Sequence, residues 1–382
     1  MAMKRGSRER VSRLKMQAVR IAGLDLSARG DAEDMEISKG LWRTMARRGL
    51  LGWSIPAAYG GEGAEFSEIL PAVETFVAKG GRPGLALSWM VHLIVGRVLI
   101  AGFGNGTQKK GVLPGMASGK RTVSIAFSEP GAGSDPKRIR TTAVKKGRSY
   151  VLDGEKAWLT NGPLADLFIV FAVTGERGGR KGFTAFLVPR ENPGLTVREM
   201  PALGYLRPSP HCEIRLQGCS VPETAVLGRR GRAWEDLSKP FRVAEDVLLS
   251  GVILGGLDLE LRQAGSSLWK RKGEIENDLK ERVGGIAALL ETARQVARVA
   301  TRDLDGGKQG MDVEQGLVAF HLIAKTLQES FRGMIEKPAG AGPAGPDATA
   351  DDIARLIGLG MHASRARQRK WGETLLIGKE KP

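Results

Sequence analysis

Cysteine is almost absent from this chain of 382 residues: Cys212 and Cys219 are the only two. That excludes a disulfide framework and suits a reducing compartment. No apolar run reaches the roughly 20 residues that a membrane-spanning helix needs. Leu87–Phe103 is interrupted by His92 and Arg97, and Val247–Leu257 is closed by Asp246 and Asp258, so both read as buried helices. A secretory apolar region is missing, as is a P-loop, because Gly119-Lys120 is followed by Arg121. No serine sits in a G-x-S-x-G elbow. The four histidines are scattered without metal-ligand spacing. His211-Cys212 with Cys219 comes nearest to a cluster, but neighbouring strand positions alternate faces.

Positive charge and glycine are what the chain has in excess. Lysine and arginine number 58 against 42 acids, giving +16. The 52 glycines are roughly twice the usual share, without the three-residue period of collagen. Apolar residues at 42% support a sizeable core and exclude wholesale disorder. The start carries Lys4, Arg5, Arg8, Arg10, Arg13, Lys15 and Arg20 against Glu9 alone. Such a stretch suits a transit peptide or an amphipathic surface helix; the second is preferred here, and a cytoplasmic protein is expected.

The hydrophobic period divides the chain into three. Residues 1–119 read as helical, with Trp42, Met45, Ala46, Leu50 and Leu51 at three-to-four spacing, then Ile69–Val77 and Leu85–Ala101 around the glycine-rich loop Pro56–Gly63. Across 120–228 the period changes to two. Thr122–Ser128, Thr141–Lys146, Ser149–Leu152, Ala157–Leu159, Phe168–Val173, Phe183–Val188 and Cys212–Leu216 read as short strands. Turn chemistry at Lys146-Gly-Arg, Asp153-Gly154, Asn161-Gly162 and Asn192-Pro-Gly194 separates them. This pattern predicts an antiparallel β-barrel or sandwich rather than βαβ units. From 229 to 382 helices return at Val243–Gln263, Ile275–Asp303, Val313–Ile335 and Asp351–Leu376, the expectation for a four-helix bundle with a Pro/Gly-rich linker at 337–349. The expected class is α+β and multi-domain. A G-x-G-x-x-G match at Gly340–Gly345 lies inside that linker, with no strand before it, and is set aside.

Ser128-Glu-Pro-Gly-Ala-Gly-Ser-Asp135 carries more information. It leaves a strand and enters a glycine-permissive turn, where backbone N–H groups and two serine hydroxyls can meet an anion or a polar ring edge. An ordinary loop has much the same composition. Its company tips the balance: Lys156-Ala-Trp-Leu-Thr-Asn-Gly162 places an indole and a hydroxyl side by side on a strand, a plane to stack on and a group to hydrogen-bond a flat ring.

With these blocks in order, residues 40–300 resemble the acyl-CoA dehydrogenase family. The resemblance rests on Leu50–Gly63, Ser128–Asp135, Trp158–Gly162, Cys219-Ser-Val-Pro222 and Leu227-Gly228. It implies an N-terminal α-helical domain, a middle β-barrel and a C-terminal four-helix bundle. It also implies FAD, with Phe127, Ser128, Gly133, Trp158, Thr160 and Arg271 as cofactor-binding residues. Ser128 matches the hydroxyl that bonds the flavin ring, Trp158 the aromatic packed on it, and Thr160 the hydroxyl near N5. Ser134 matches a serine of the acyl-CoA contact region, and Arg271 an arginine that reaches FAD of a neighbouring subunit.

The implied chemistry removes a proton α to a thioester while the β-hydrogen leaves as hydride. A carboxylate in a dry pocket suits the first half. Most family members hold that base in a C-terminal Tyr-Glu-Gly-Thr-like segment, which this chain lacks. A minority place it on the first bundle helix, where Glu245 falls here, followed by apolar residues. The competing reading makes Glu245-Asp246 an acidic first helical turn. The chain also lacks the Gln-x-x-Gly-Gly-x-Gly segment, has Gly273-Glu-Ile where Phe-Gly is usual, and has Asp246 where an arginine often stands. The resemblance further implies an acyl-CoA substrate, an electron-transfer flavoprotein as electron acceptor and a homotetramer. Two other readings compete: a non-catalytic subunit of a hetero-oligomer, and a nucleic-acid binder. Against the second, the basic run Ser364–Lys370 has only Trp371 beside it for base stacking.

Overall fold

The computed structural model describes residues 5–22, 39–200, 204–269, 276–308, 311–332 and 346–377. Helices α1 (Arg5–Ala22), α2 (Lys39–Arg47), α3 (Phe66–Ala78), α4 (Pro83–Ile94) and α5 (Gly106–Ala117) come first. Strands β1 (Val123–Ala126), β2 (Thr142–Lys146), β3 (Ser149–Thr160), β4 (Leu167–Arg177), β5 (Arg180–Pro189), β6 (Leu195–Glu199), β7 (His211–Pro222) and β8 (Val226–Leu227) follow. Helices α6 (Lys239–Trp269), α7 (Asn277–Asp305), α8 (Met311–Arg332) and α9 (Pro346–Ile377) close the chain. Helices, then a sheet, then four long helices is the order that the hydrophobic periods predict. Ile275, Ile335, the Gly340–Gly345 motif and Arg271 lie outside the described residues.

Contacts divide the chain into two compact units. One holds α1, α3 and the helices from Asp246 onward. In it the basic start forms the expected amphipathic helix: Leu14, Ala18 and Ile21 bury one stripe, and α1 packs on α3. Arg10 Nη1 donates to Glu68 Oε2 at 3.0 Å. Asp305 at the end of α7 accepts the N–H groups of Phe66 (2.9 Å) and Ser67 (2.8 Å), satisfying two orphan donors at the start of α3. Helix α8 packs between α7 and α9.

The other unit holds α2, most of α4, α5 and the whole sheet. Pro83–Ala101, in which α4 runs into a π-helical turn, is long and apolar enough to cross a membrane by length and composition, yet most of it is buried inside the protein. The sheet runs β6-β7-β3-β2-β4-β5-β8, with β1 on β4. It is mixed rather than antiparallel throughout: β1 lies parallel to β4, with Val123 opposite Leu167, and β2 touches β4 in parallel. Turn residues specify hairpins such as β2–β3 and β4–β5, but a parallel pairing between distant strands leaves no local signal. The short strands β6 and β8 were not anticipated. Leu152, Phe168, Val170, Phe186, Val188 and Ile214 form the centre of the sheet's core, which also takes in both cysteines. Burial pushes the Cys212 thiol up to about 12 and the Cys219 thiol up to about 11, so both pack as neutral side chains.

Strand β3 departs furthest from its expected form. Asp153-Gly154 is no turn; the strand runs unbroken from Ser149 to Thr160, and its register against β7 shifts between Leu152 and Gly154. Gly154 takes φ 149°, and a Cβ there would stand 2.5 Å from Thr141 Oγ1. Gly154→Ala is therefore expected to cost about 1–3 kcal/mol, read as a lowered midpoint of thermal unfolding; an unchanged midpoint would contradict this account of the bulge.

Candidate functional site

The second irregularity of β3 creates the site's most exposed aromatic. Register against β7 shifts again between Lys156 and Leu159, and in that bulge Trp158 has φ 65°. A left-handed conformation is costly for a bulky residue. It turns the indole outward, 51% exposed, between Ala157 and Leu159, which are buried. A tryptophan held in strain in order to be exposed is not serving the core.

The loop after β1 is laced to this bulge. Glu129 and Gly133 exchange backbone hydrogen bonds, N–H to O at 2.9 Å in each direction, closing a small ring in which Gly131 (φ 69°) and Gly133 (φ 57°) are left-handed. Ser128 O accepts Ala157 N–H at 3.0 Å, which fixes the loop beside Trp158. A Cβ on Gly131 or Gly133 would meet nothing within 4 Å, so the space in front of both is open. Ser128, Gly133 and Ser134 are half-buried.

A buried ion pair holds the loop from beneath. Lys156 is fully buried, and its Nζ donates to Glu129 Oε1 and to Phe127 O, each at 2.9 Å. Glu129 also accepts Arg140 N–H (2.7 Å), Thr141 N–H (2.8 Å) and the Thr141 hydroxyl. Burial drives the Lys156 ammonium down to about 8 against the pull of Glu129. Burial works to raise the Glu129 carboxyl, but Lys156 and the three Thr141 and Arg140 donors outweigh it and hold the group below its ordinary range.

Thr160, two residues after Trp158, touches His211 at the start of β7. His211 Nδ1 lies 3.0 Å from Ser209 O and Nε2 lies 3.1 Å from Thr160 Oγ1. Burial lowers the imidazole's pKa, against its bond to Ser209, which favours the neutral ring. A carbonyl can only accept, so the proton is on Nδ1 and Nε2 accepts from Thr160. The Thr160 hydroxyl proton is thus committed, leaving its oxygen as an acceptor toward anything outside.

Helix α6 completes the constellation. Arg242 Nη2 donates to Ser134 O at 3.1 Å, and its guanidinium lies over Phe127 (5.4 Å) and Trp234 (5.1 Å), themselves stacked at 5.2 Å. Phe127 also meets Phe171 edge-on at 5.2 Å, so its ring is a packing element and only its backbone can face a ligand. Glu245 stands three residues beyond Arg242 on the same face, half-buried. The bland reading of Glu245 fails on position. A π-helical turn, Trp234–Ser238, leads into α6, whose first turn has no acid; Glu245 comes in its second turn, beyond the reach of the terminal dipole. Asp246, which replaces a common arginine, pairs with Arg367 of α9.

Lys156, Glu129 and Arg242 thus tie together the loop that carries Phe127, Ser128, Gly133 and Ser134, the loop is bonded at Ala157 to the strand that carries Trp158 and Thr160, and Glu245 lies on α6 three residues beyond Arg242. Glu129 and Lys156 stand in the sequence motifs without an assigned role, His211 is weighed there only beside the two cysteines, and Arg242 carries no local signal. The donor set fits a flat ring with a polar edge: an exposed indole, a serine hydroxyl, an acceptor oxygen and open ground before two glycines. Among the described residues no three of His, Cys, Asp and Glu gather as metal ligands.

The profile of the acyl-CoA dehydrogenase N-terminal domain matches residues 20–120, and that of the middle domain residues 124–219. An acyl-CoA dehydrogenase of Bacillus subtilis is 38% identical over 191 residues, 50% of this chain and 50% of that protein. The mitochondrial isovaleryl-CoA dehydrogenase of Oryza sativa is 30% identical over 287 residues, 73% of this chain and 69% of the relative. The chain spans about half the length of several curated relatives it matches. The three-dimensional structure of butyryl-CoA dehydrogenase from Megasphaera elsdenii shares the fold, with TM-score 0.84 over 98% of this chain and 99% of that one at 20% identity.

Proposed function

Because this chain belongs to the acyl-CoA dehydrogenase family of flavin-dependent oxidoreductases, we propose that it oxidises an acyl-CoA to the 2-enoyl-CoA, with Glu245 as the base. The observation that carries this reading is the strained, exposed Trp158 laced to the Ser128–Asp135 loop. FAD, when bound, supplies the acceptor for the substrate's β-hydrogen and its electron pair. Ser128, the backbone at Phe127 and Gly133, Trp158 and Thr160 are the residues proposed to hold its ring system; Arg271 is proposed to hold its phosphate half. Ser134 is proposed to meet the acyl-CoA.

In this scheme a Glu245 carboxylate oxygen takes the α-proton of the acyl thioester. It stands half-buried on α6, ahead of the buried residues Val247 and Leu248, where a positioned carboxylate can act as general base. Trp158 would give the ring a plane to pack on, and Thr160, its proton tied to His211, would offer it only lone pairs. Arg242 keeps Ser134 and Phe127 in place without entering the chemistry. An electron-transfer flavoprotein as acceptor, a homotetrameric assembly, a cytoplasmic setting and domain boundaries after residues 119 and 228 belong to the same proposal.

The test is product analysis. Purified chain supplied with FAD, an artificial electron acceptor and a panel of acyl-CoAs is expected to yield, for at least one, a product lighter by two hydrogens with a 2,3-double bond. Failure with every chain length and branching pattern, while FAD is bound, would favour a non-catalytic subunit.

A further inference from the structure

We propose that the cleft between α2 and the loop ahead of β1 binds a small anion of the pyrophosphate class, free or as part of a metabolite. The cleft measures about 440 Å³ and is lined by Lys39, Trp42, Arg43, Arg47, Lys120 and Asp166, among others. None of these belongs to the residues assigned to the flavin or the acyl thioester.

Three observations converge. Helix α2 has no acidic residue, and Lys39, Arg43 and Arg47 recur at i, i+4 and i+8, so three cations line one face at a spacing that disfavours the helix unless an anion joins them. The opposite wall is brought close by Gly119, whose φ is 69° and where a Cβ would stand 2.4 Å from the Ala46 Cβ. Only glycine lets this loop press on α2 and set Lys120 across from the arginines. Asp166 is the one acid of the lining, and its Oδ2 is engaged by Thr122 N–H at 2.8 Å.

The third observation points to a ligand directly. Trp42 is 3% exposed and lines the cleft, and its indole Nε1–H has no hydrogen-bond partner among the described residues. Its ring meets His92 edge-on at 5.4 Å, and burial keeps that imidazole neutral, with its pKa lowered to about 4. A buried N–H without an acceptor is rare in folded proteins and costly. An anionic oxygen among four cations would satisfy it with a charge-assisted bond. The cleft's size favours a compact anion over a nucleic acid, which needs a longer basic track.

The experiment titrates sodium pyrophosphate into the full chain, supplied with FAD and labelled with ¹⁵N at tryptophan. One indole resonance, identified by its loss in Trp42→Phe, is expected to shift saturably. In Arg43→Gln/Arg47→Gln the midpoint is expected to rise at least tenfold. If Trp42→Phe does not fold, calorimetry on the wild type and the double arginine variant reads the same tenfold difference. A stationary resonance at millimolar pyrophosphate overturns the proposal, as does an equal shift with sodium chloride at matched ionic strength.

Discussion

Glu245→Gln is expected to leave the protein folded and flavin-binding while lowering the rate of substrate oxidation by about 10²–10⁴-fold, the range over which a positioned general base contributes. Glutamine keeps the size of the side chain and its hydrogen-bonding capacity but cannot accept the α-proton. The loss should therefore fall on kcat and kcat/KM together, with little change in acyl-CoA affinity. Glu245→Asp, which withdraws the carboxylate by one methylene, is expected to retain part of the activity, since misplacement by about 1 Å costs on the order of 10²-fold. The helix geometry adds weight here: Arg242 is bonded to Ser134 one turn earlier, so Glu245 rests on a segment of α6 already tied to the ligand-facing loop. Stopped-flow measurement of flavin reduction checks both variants. If Glu245→Gln turns over at the wild-type rate, the base is elsewhere.

Lys156→Met should produce the largest loss of stability of any single change near the site. Lys156 and Glu129 form a buried pair, and removing one partner of such a pair typically costs about 3–5 kcal/mol because the other charge is left uncompensated. Glu129 would keep Thr141 and the two backbone donors but lose its counter-charge. The double variant Lys156→Met/Glu129→Gln should recover much of the loss. The pH dependence separates the contributions. Glu129 has a folded pKa below its unfolded value, so it stabilises the fold above the ordinary carboxylate range and less as pH falls through the folded value. Lys156 has its folded pKa lowered to about 8 from 10.5. Between those values the unfolded chain binds a proton that the folded chain has released, so this group's contribution to stability rises with pH across that window. Denaturant unfolding from pH 7 to 10.5 should show that rise in the wild type and its absence in Lys156→Met. A Lys156→Met protein as stable as the wild type would contradict the role given to the pair. Flavin retention should weaken in the same variant, because Phe127 and Glu129 on either side of Ser128 lose their common anchor.

The sequence made the helix-sheet-helix order legible because its hydrophobic period changes from 3.6 to two and back. Trp158, Thr160 and the Ser128–Asp135 loop were legible as a ring-binding set because their residue types are unusual in combination. What stayed hidden depended on phase and on long-range pairing. Reading Asp153-Gly154 as a turn split β3 in two, and the split concealed Lys156. In the unbroken strand Tyr150, Leu152 and Lys156 share the inward phase, and an inward lysine on a core strand demands a buried partner. Glu129, three residues after the end of β1, is that partner, but nothing local links the two. The parallel β1–β4 pairing was hidden for the same reason. The earlier start of α6 at Lys239 also lay beyond pattern reading, since apolar periodicity begins only near Val243. Yet that start is what removes Glu245 from the first turn and with it the bland explanation of its charge.

Anaerobic mixing of the FAD-bound wild type with saturated acyl-CoAs, straight-chain and branched, tests the central claim most directly. At least one acyl-CoA is predicted to bleach the oxidised flavin band in a single turnover, and the same acyl-CoA is predicted to leave the Glu245→Gln band nearly unchanged on that timescale. A protein that cannot be loaded with FAD, or a loaded wild type whose band no acyl-CoA bleaches, would contradict the account.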